Sequence, residues 1–382
     1  MLALRTNIHP YYLRMSDQLV SAVTNQLHTV IDPYTDNKIT ANKGLVSVQA
    51  DESKLTVSLR RGYPIGLVVA QLAQLIRDSL GKLDVGSRVL EVQISQEIGS
   101  HSTQQGAQAV KGIKNIIAVA SGKGGVGKST CSANLALALS SAGAKVGVLD
   151  ADIYGPSQPR MLGVSGKPEA LENKMLLPML GHGIKIMSIG FLVEEDTPMI
   201  WRGPMVTQAL EQMLRGTVWN HDGEDIDYLV IDLPPGTGDI QLTMSQKIPV
   251  SGAVIVTTPQ DIALLDAKKA YKMFEKVEVP VYGIIENMST HVCTKCGHEE
   301  SIFGADGAAK MAAEYNLEVL GEIPLEMSIR ELADSGTPTV VAQSDSATAE
   351  KYKNIAMKIC GKLSAKKKDF SGKFPNIVVE NS

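Results

Sequence analysis

The sequence predicts an α/β fold: a mostly parallel sheet with helices on both faces, preceded by a small α+β domain. Three observations carry this. Short, mostly apolar runs (Ile116–Ala120, Lys145–Asp150, Tyr228–Leu233, Ala253–Thr257, Val281–Glu286) alternate with segments of helical spacing, as parallel strands covered on both sides require. A glycine-rich loop separates the first of these runs from the helical segment that follows it. Residues 1–98 follow a different order of elements, and the polar run 99–113, rich in Gly, Ser and Gln, reads as a linker.

In the first domain, Ser16–Val30 places Leu19, Val20, Val23, Leu27 and Val30 on one side of a helix, which Asp32-Pro33 ends. Strands follow at Leu45–Gln49 and Lys54–Leu59, the second turning Leu55, Val57 and Leu59 inward. A helix at Val68–Leu80 and a strand at Val89–Ile94 complete it. The second domain is expected over 114–364. After the glycine-rich loop, Ser129–Ala142 is a helix that Gly143 stops. His182–Ile189 is a strand, and Pro204 opens a helix over Met205–Arg215. The remaining elements are a helix at Ala305–Tyr315, a strand at Val319–Ile323, and helices at Ser328–Ser335 and Thr348–Leu363. A polar tail spans 365–382, with Lys366-Lys367-Lys368 read as a solvated run.

Composition narrows the function classes. The 382 residues are 44% hydrophobic and 20% charged, as in a globular protein with a sizeable core. The net charge of −4 and the 4% aromatic content give no case for a nucleic-acid surface. No apolar run approaches a membrane span, and the N-terminus lacks a secretory core, so a cytoplasmic protein with no membrane partner is expected. Cys131, Cys293, Cys296 and Cys360 are too unevenly placed for a disulfide framework.

The loop Gly122-Lys123-Gly124-Gly125-Val126-Gly127-Lys128-Ser129-Thr130 fits G-x-x-x-x-G-K-[ST]. Its glycines clear the approach of backbone N–H groups to a phosphate, Lys128 reaches the β- and γ-phosphates, and Ser129 ligates magnesium. Asp150 and Asp152 end one strand and Asp232 another, on the side where parallel sheets bind ligands. One carboxylate there can hold the ion's water shell and another can orient an attacking water. Asp150, Asp232 and Ser129 are therefore expected on magnesium, and Asp152 with Lys123 and Lys128 in catalysis. Asn287, at the end of a strand, offers a donor and an acceptor that suit an adenine edge. Cys293-Thr294-Lys295-Cys296 points two thiolates at one metal. Gly297 stands where haem attachment needs a histidine. An intrachain zinc site would have to recruit His291 or His298. A two-fold dimer instead supplies four thiolates, which suit a [4Fe–4S] cluster or a bridging zinc.

These motifs resemble a known family. G-K-G-G-V-G-K-S-T is similar to the deviant loop of the MinD/ParA/nitrogenase-iron-protein superfamily, in which the extra lysine, here Lys123, crosses a dimer interface to the partner's nucleotide. D-A-D-I-Y-G-P-S (150–157), W-R-G-P (201–204), D-L-P-P-G-T-G-D (232–239) and the cysteine pair resemble its Mrp/ApbC branch of iron–sulfur cluster carriers over roughly 114–363. The order of elements in 1–98, with Asp32-Pro33, resembles the PaaD-like assembly module. Tyr34 replaces its acidic residue, and Gly62-Tyr63-Pro64 lacks its cysteine. The resemblance implies a homodimeric ATPase that carries a labile [4Fe–4S] cluster from an upstream scaffold to apo iron–sulfur proteins. It implies ATP and Mg²⁺ as cofactors. Two other readings stay open: a MinD/ParA-like positioning ATPase, and a nucleotide-dependent scaffold with a bridging zinc.

Overall fold

A computed structural model describes residues 10–103, 108–192, 203–293 and 295–366. The chain divides into two compact units, Met1–Ile98 and Gly99–Ser382.

The first unit is α1 (Pro10–Leu27), β1 (Leu45–Ala50), β2 (Lys54–Arg61), α2 (Val69–Leu80) and β3 (Val89–Gln96). The sheet order is β1-β2-β3, with β1 antiparallel and β3 parallel to β2. Alternation in β2 buries Leu55, Val57 and Leu59, which meet Val23 and Leu27 of α1 and Ile76 and Leu80 of α2 in one core. Asp32 is wholly buried at the end of this core. Its carboxylate accepts from the Arg61 guanidinium at 3.1 Å, the Tyr63 hydroxyl at 2.7 Å and the Tyr34 amide at 3.0 Å. Arg61 also ties the Ile39 and Gly44 carbonyls. The helix ends at Leu27, ahead of the expected Val30, and Asp32 anchors the turn that follows through a buried ion pair.

The second unit runs β4 (Ile113–Ala120), α3 (Lys128–Ser141), β5 (Val146–Asp150), α4 (Gln158–Met161), β6 (Met179–Gly181), β7 (Ile184–Ser188), α5 (Gly203–Gly216), β8 (Ile226–Asp232), α6 (Asp239–Lys247), β9 (Gly252–Thr257), α7 (Asp261–Lys276), β10 (Val281–Val292), β11 (Glu299–Glu300), α8 (Gly307–Tyr315), β12 (Val319–Leu325), α9 (Met327–Asp334), α10 (Thr339–Ala342) and α11 (Ala347–Ser364). The sheet order is β11-β10-β9-β4-β8-β5-β7-β6, and β12 also pairs with β10. Every pairing among β4, β5, β7, β8, β9, β10 and β12 is parallel, with antiparallel β6 and β11 at the two margins. Parallel pairing stacks the C-terminal ends of β4, β5 and β8 along one edge of the sheet, where the loops of interest emerge. α3 is buried from Cys131 through Leu139, so its run of alanines and leucines has no polar face. It is sandwiched between the sheet and α11.

Three expectations change. The strand expected to end at Glu286 continues to Val292, with irregular pairing between Asn287 and His291 and a positive φ of 56° at Met288. Asn287, expected at the end of this strand, therefore lies within it. Part of the expected linker is secured: His101 is buried, its amide donates to the Asn115 side chain at 3.2 Å, and the Asn115 amide donates to the Gly99 carbonyl. Lys366 is not a solvated charge. Its ammonium donates to the Ser251 carbonyl at 2.9 Å and lies over the Tyr282 ring, and burial pulls it down to about 8. Lys367, Lys368 and the Trp201-Arg202 pair lie outside the described residues.

Candidate nucleotide and metal-carrier site

The loop after β4 lines a cleft of about 210 Å³ with Lys123, Gly124, Gly125, Lys128 and Ser129, closed by Asp152 on one side and Pro235 on the other. Its glycines serve different ends. Gly125 and Gly127 adopt φ of 82° and 80°, which side chains resist. A Cβ on Gly125 would meet open space. Gly122 has another reason to lack a side chain: a Cβ there would come within 2.1 Å of the Asp266 backbone in α7. A Cβ on Gly127 would strike the Asn287 amide at the same distance.

Lys128 is buried at the start of α3, with its ammonium 2.6 Å from Asp232 and 3.6 Å from Asp152. It also donates to Ser129 at 3.3 Å. Asp232 is wholly buried and takes a second bond from Ser132 and a third from the Gln158 side-chain amide, each 3.0 Å. Burial raises Asp152 above the usual carboxylate range, against the pull of Lys128. Asp150 is fully buried and accepts four hydrogen bonds: the amides of Asp152, Ser157 and Gln158, and the Ser188 hydroxyl. Burial, with Asp232 adding to it, pushes its carboxyl up to about 7. Four donors fill the acceptor positions of a carboxylate. Asp150, expected on magnesium, holds the loop that carries Asp152 through these bonds.

Sequence reading missed Gln158. Its side-chain amide bridges Asp232 and the Ser129 carbonyl at 3.0 Å each. A buried polar residue directly after D-x-D-x-Y-G-P-S was the only available signal. Asn287, expected against adenine, donates to the Val126 carbonyl at 2.8 Å and so clips β10 to the phosphate loop. Lys123 is half-buried in the cleft wall, and its carbonyl accepts from Ser121. The Gly236 amide donates to the Ser121 carbonyl at 3.1 Å, joining the loop after β8 to the loop after β4.

The cysteine pair occupies the tip of a hairpin. β10 and β11 pair antiparallel at His291–Glu300 and Val292–Glu299. The turn closes by Cys293 N–H to the His298 carbonyl and Gly297 N–H to the Cys293 carbonyl, both 2.9 Å, with Gly297 at φ 72°. The amides of Lys295 and Cys296, and then the Cys296 side chain, hold the Cys293 thiol below its ordinary range. Backbone donors that favour a thiolate favour a soft metal ligand as well. His291 is engaged with the Leu325 carbonyl at 3.1 Å. Among the described residues no group of three or more His, Cys, Asp or Glu side chains comes together as a metal site. Cys131 and Cys360 are buried beside Tyr352 and Tyr228, and burial pushes each up to about 12.

A family model described as ParA: NUBPL iron-transfer P-loop NTPase matches residues 112–360. The chain belongs to this family. NUBPL-type relatives resemble it closely. It is 47% identical over 353 residues to the iron–sulfur cluster carrier protein of Haemophilus influenzae, covering 91% of this chain and 94% of that one. It is 53% identical over 256 residues to the iron–sulfur cluster transfer protein NUBPL of Mus musculus, covering 66% and 79%. Among solved structures, a nucleotide-binding protein from Archaeoglobus fulgidus in complex with ADP is 40% identical with a TM-score of 0.51, covering 59% of this chain and 87% of that one. The family span holds both the phosphate loop and the cysteine hairpin. The mammalian relative carries its family name, and no helix among the described residues is long and apolar enough to cross a membrane.

Proposed function

We propose that this protein is an ATP-hydrolysing iron–sulfur cluster carrier in which two protomers hold one [4Fe–4S] cluster as cargo between their Cys293-Cys296 pairs. The observation that carries the reading is continuity. A single strand, β10, bonds to the phosphate loop through Asn287 and ends at Val292, directly before Cys293. Each hairpin offers two thiols, and among the described residues no third ligand joins them, so four-thiolate ligation needs a second copy.

The residues fit a magnesium nucleotide. The glycine loop leaves the cleft open to phosphate, and Ser129 and Asp232, both bonded by Lys128, would hold the ion. Lys128, shared between Asp232 and Asp152, gains the phosphates as a stronger anionic partner. Asp152, beside the cleft, orients the attacking water, and Lys123 reaches toward the partner's nucleotide. Asp150 and Gln158 position these groups. Recipients are apo iron–sulfur proteins, and an upstream scaffold supplies the cluster.

Anaerobic reconstitution with iron and sulfide, wild type beside Cys293→Ala/Cys296→Ala, tests this. About four irons and four sulfides per dimer, lost in the double variant, is the expected result. Equal iron uptake by both, or tight zinc without sulfide, overturns it.

A further inference from the structure

A second cavity, of about 430 Å³, lies on the other side of the loop that follows β8. Pro235 of that loop borders the nucleotide cleft, and Thr237 and Gly238 border this one. The floor is Leu242 and Met273. The wall is α7, which contributes Lys268, Lys269, Lys272 and Lys276, and among the described side chains no carboxylate lines the cavity. Residues 268, 272 and 276 recur at i, i+4 and i+8, so three ammonium groups run along about 12 Å of one helix face. The Lys272 ammonium sits 5.2 Å from the Tyr315 ring centre, and both residues line the cavity. Lys268, Lys269 and Lys272 pair with Glu314, Asp266 and Glu275, all around the rim. Exposed pairs of this kind are weak, and an incoming carboxylate can displace them.

We infer that this cleft docks an acidic segment of a protein partner, and that the loop shared with the nucleotide cleft makes the docking responsive to nucleotide. Charge complementarity selects the occupant: four ammonium groups over a small apolar floor fit carboxylates flanking one apolar side chain. The chain's net charge of −4 opposes a long polyanion such as nucleic acid, whose reach exceeds the patch. The loop gives the cleft its second property. Gly236 bonds to Ser121 of the phosphate loop, and the Gln241 side chain holds the Pro234 carbonyl, so a shift on the nucleotide side moves Thr237 and Gly238. α7 itself touches the phosphate loop at Asp266 against Gly122. Within the carrier reading, on which this rests for the partner's identity, the occupant belongs to a protein that gives or takes the cluster.

The test is fluorescence anisotropy with a labelled peptide of about twelve residues, rich in Asp and Glu around one leucine. The full chain is measured with ADP and with a non-hydrolysable ATP analogue. Binding is expected to weaken about tenfold or more in Lys269→Glu/Lys272→Glu/Lys276→Glu and to fall as salt rises, while basal ATPase activity stays unchanged. The milder Lys269→Gln/Lys276→Gln serves if the first variant misfolds. The affinities in the two nucleotide states are expected to differ at least threefold. Absence of binding, equal binding by the variants, or equal binding of a lysine-rich peptide overturns the docking site. The same variant dependence for duplex DNA or phosphatidylserine vesicles does so too. Equal affinity in both nucleotide states overturns the coupling. Cluster reconstitution is scored separately: wild type that binds the peptide but holds no cluster leaves the cleft standing and removes the carrier reading.

Discussion

Lys128 is a single cation among three buried or nearly buried carboxylates. Its replacement by methionine is expected to cost about 3 kcal/mol of stability, because Asp232 is left without its ion partner, and to abolish nucleotide binding as well. Urea midpoints and calorimetric titration with ADP separate the two losses. Asp150 gives a pH signature. Its folded value near 7 lies above the ordinary 3.8, so the folded state binds the proton more tightly than the unfolded chain. Its stabilising contribution is complete below the unfolded value and is lost as pH rises through about 7. The fall in urea midpoint between about pH 5 and pH 8 is therefore expected to be smaller in Asp150→Asn than in wild type. The sequence shows that Asp150 and Asp152 end a strand, and that much was legible. It does not show which of the two turns inward, because D-x-D spacing is the same for a metal ligand and for a carboxylate that caps the next turn.

At the scale of elements, the phosphate loop and the parallel strands were legible because each rests on local pattern: glycines where phosphate approaches, apolar runs where both faces are covered. The extension of β10 was not. Thr290 and Val292 are β-branched, but a polar loop can also carry such residues, and only the pairing with β11 and β12 settles it. The glycines illustrate the same limit, since one motif hides a packing reason and a backbone reason. Gly122→Ala is expected to destabilise by about 1–3 kcal/mol through collision with α7, and Gly125→Ala by about 1 kcal/mol through its backbone angle alone. Thermal unfolding of the two variants side by side checks the order. The thiols sort by element too. A thiol-reactive dye at about pH 8 is expected to label Cys293 and Cys296 in the native protein, and Cys131 and Cys360 only after denaturation.

For the whole molecule, two units with separate cores predict two calorimetric transitions, and residues 99–382 expressed alone are expected to keep the nucleotide response. The polar run 99–113 was legible as a change of composition. The buried Asp32–Arg61 pair was not, since the two residues are far apart in sequence and meet only in the fold. If two hairpin tips share one cluster, as proposed, mass action governs the loading. A protomer that owns half a binding site holds its cargo with a strength that depends on how many other protomers are nearby. Dilution alone unloads such a carrier, and crowding many copies together reloads it. The abundance of the protein then sets the fraction of cargo in transit, before any nucleotide is hydrolysed.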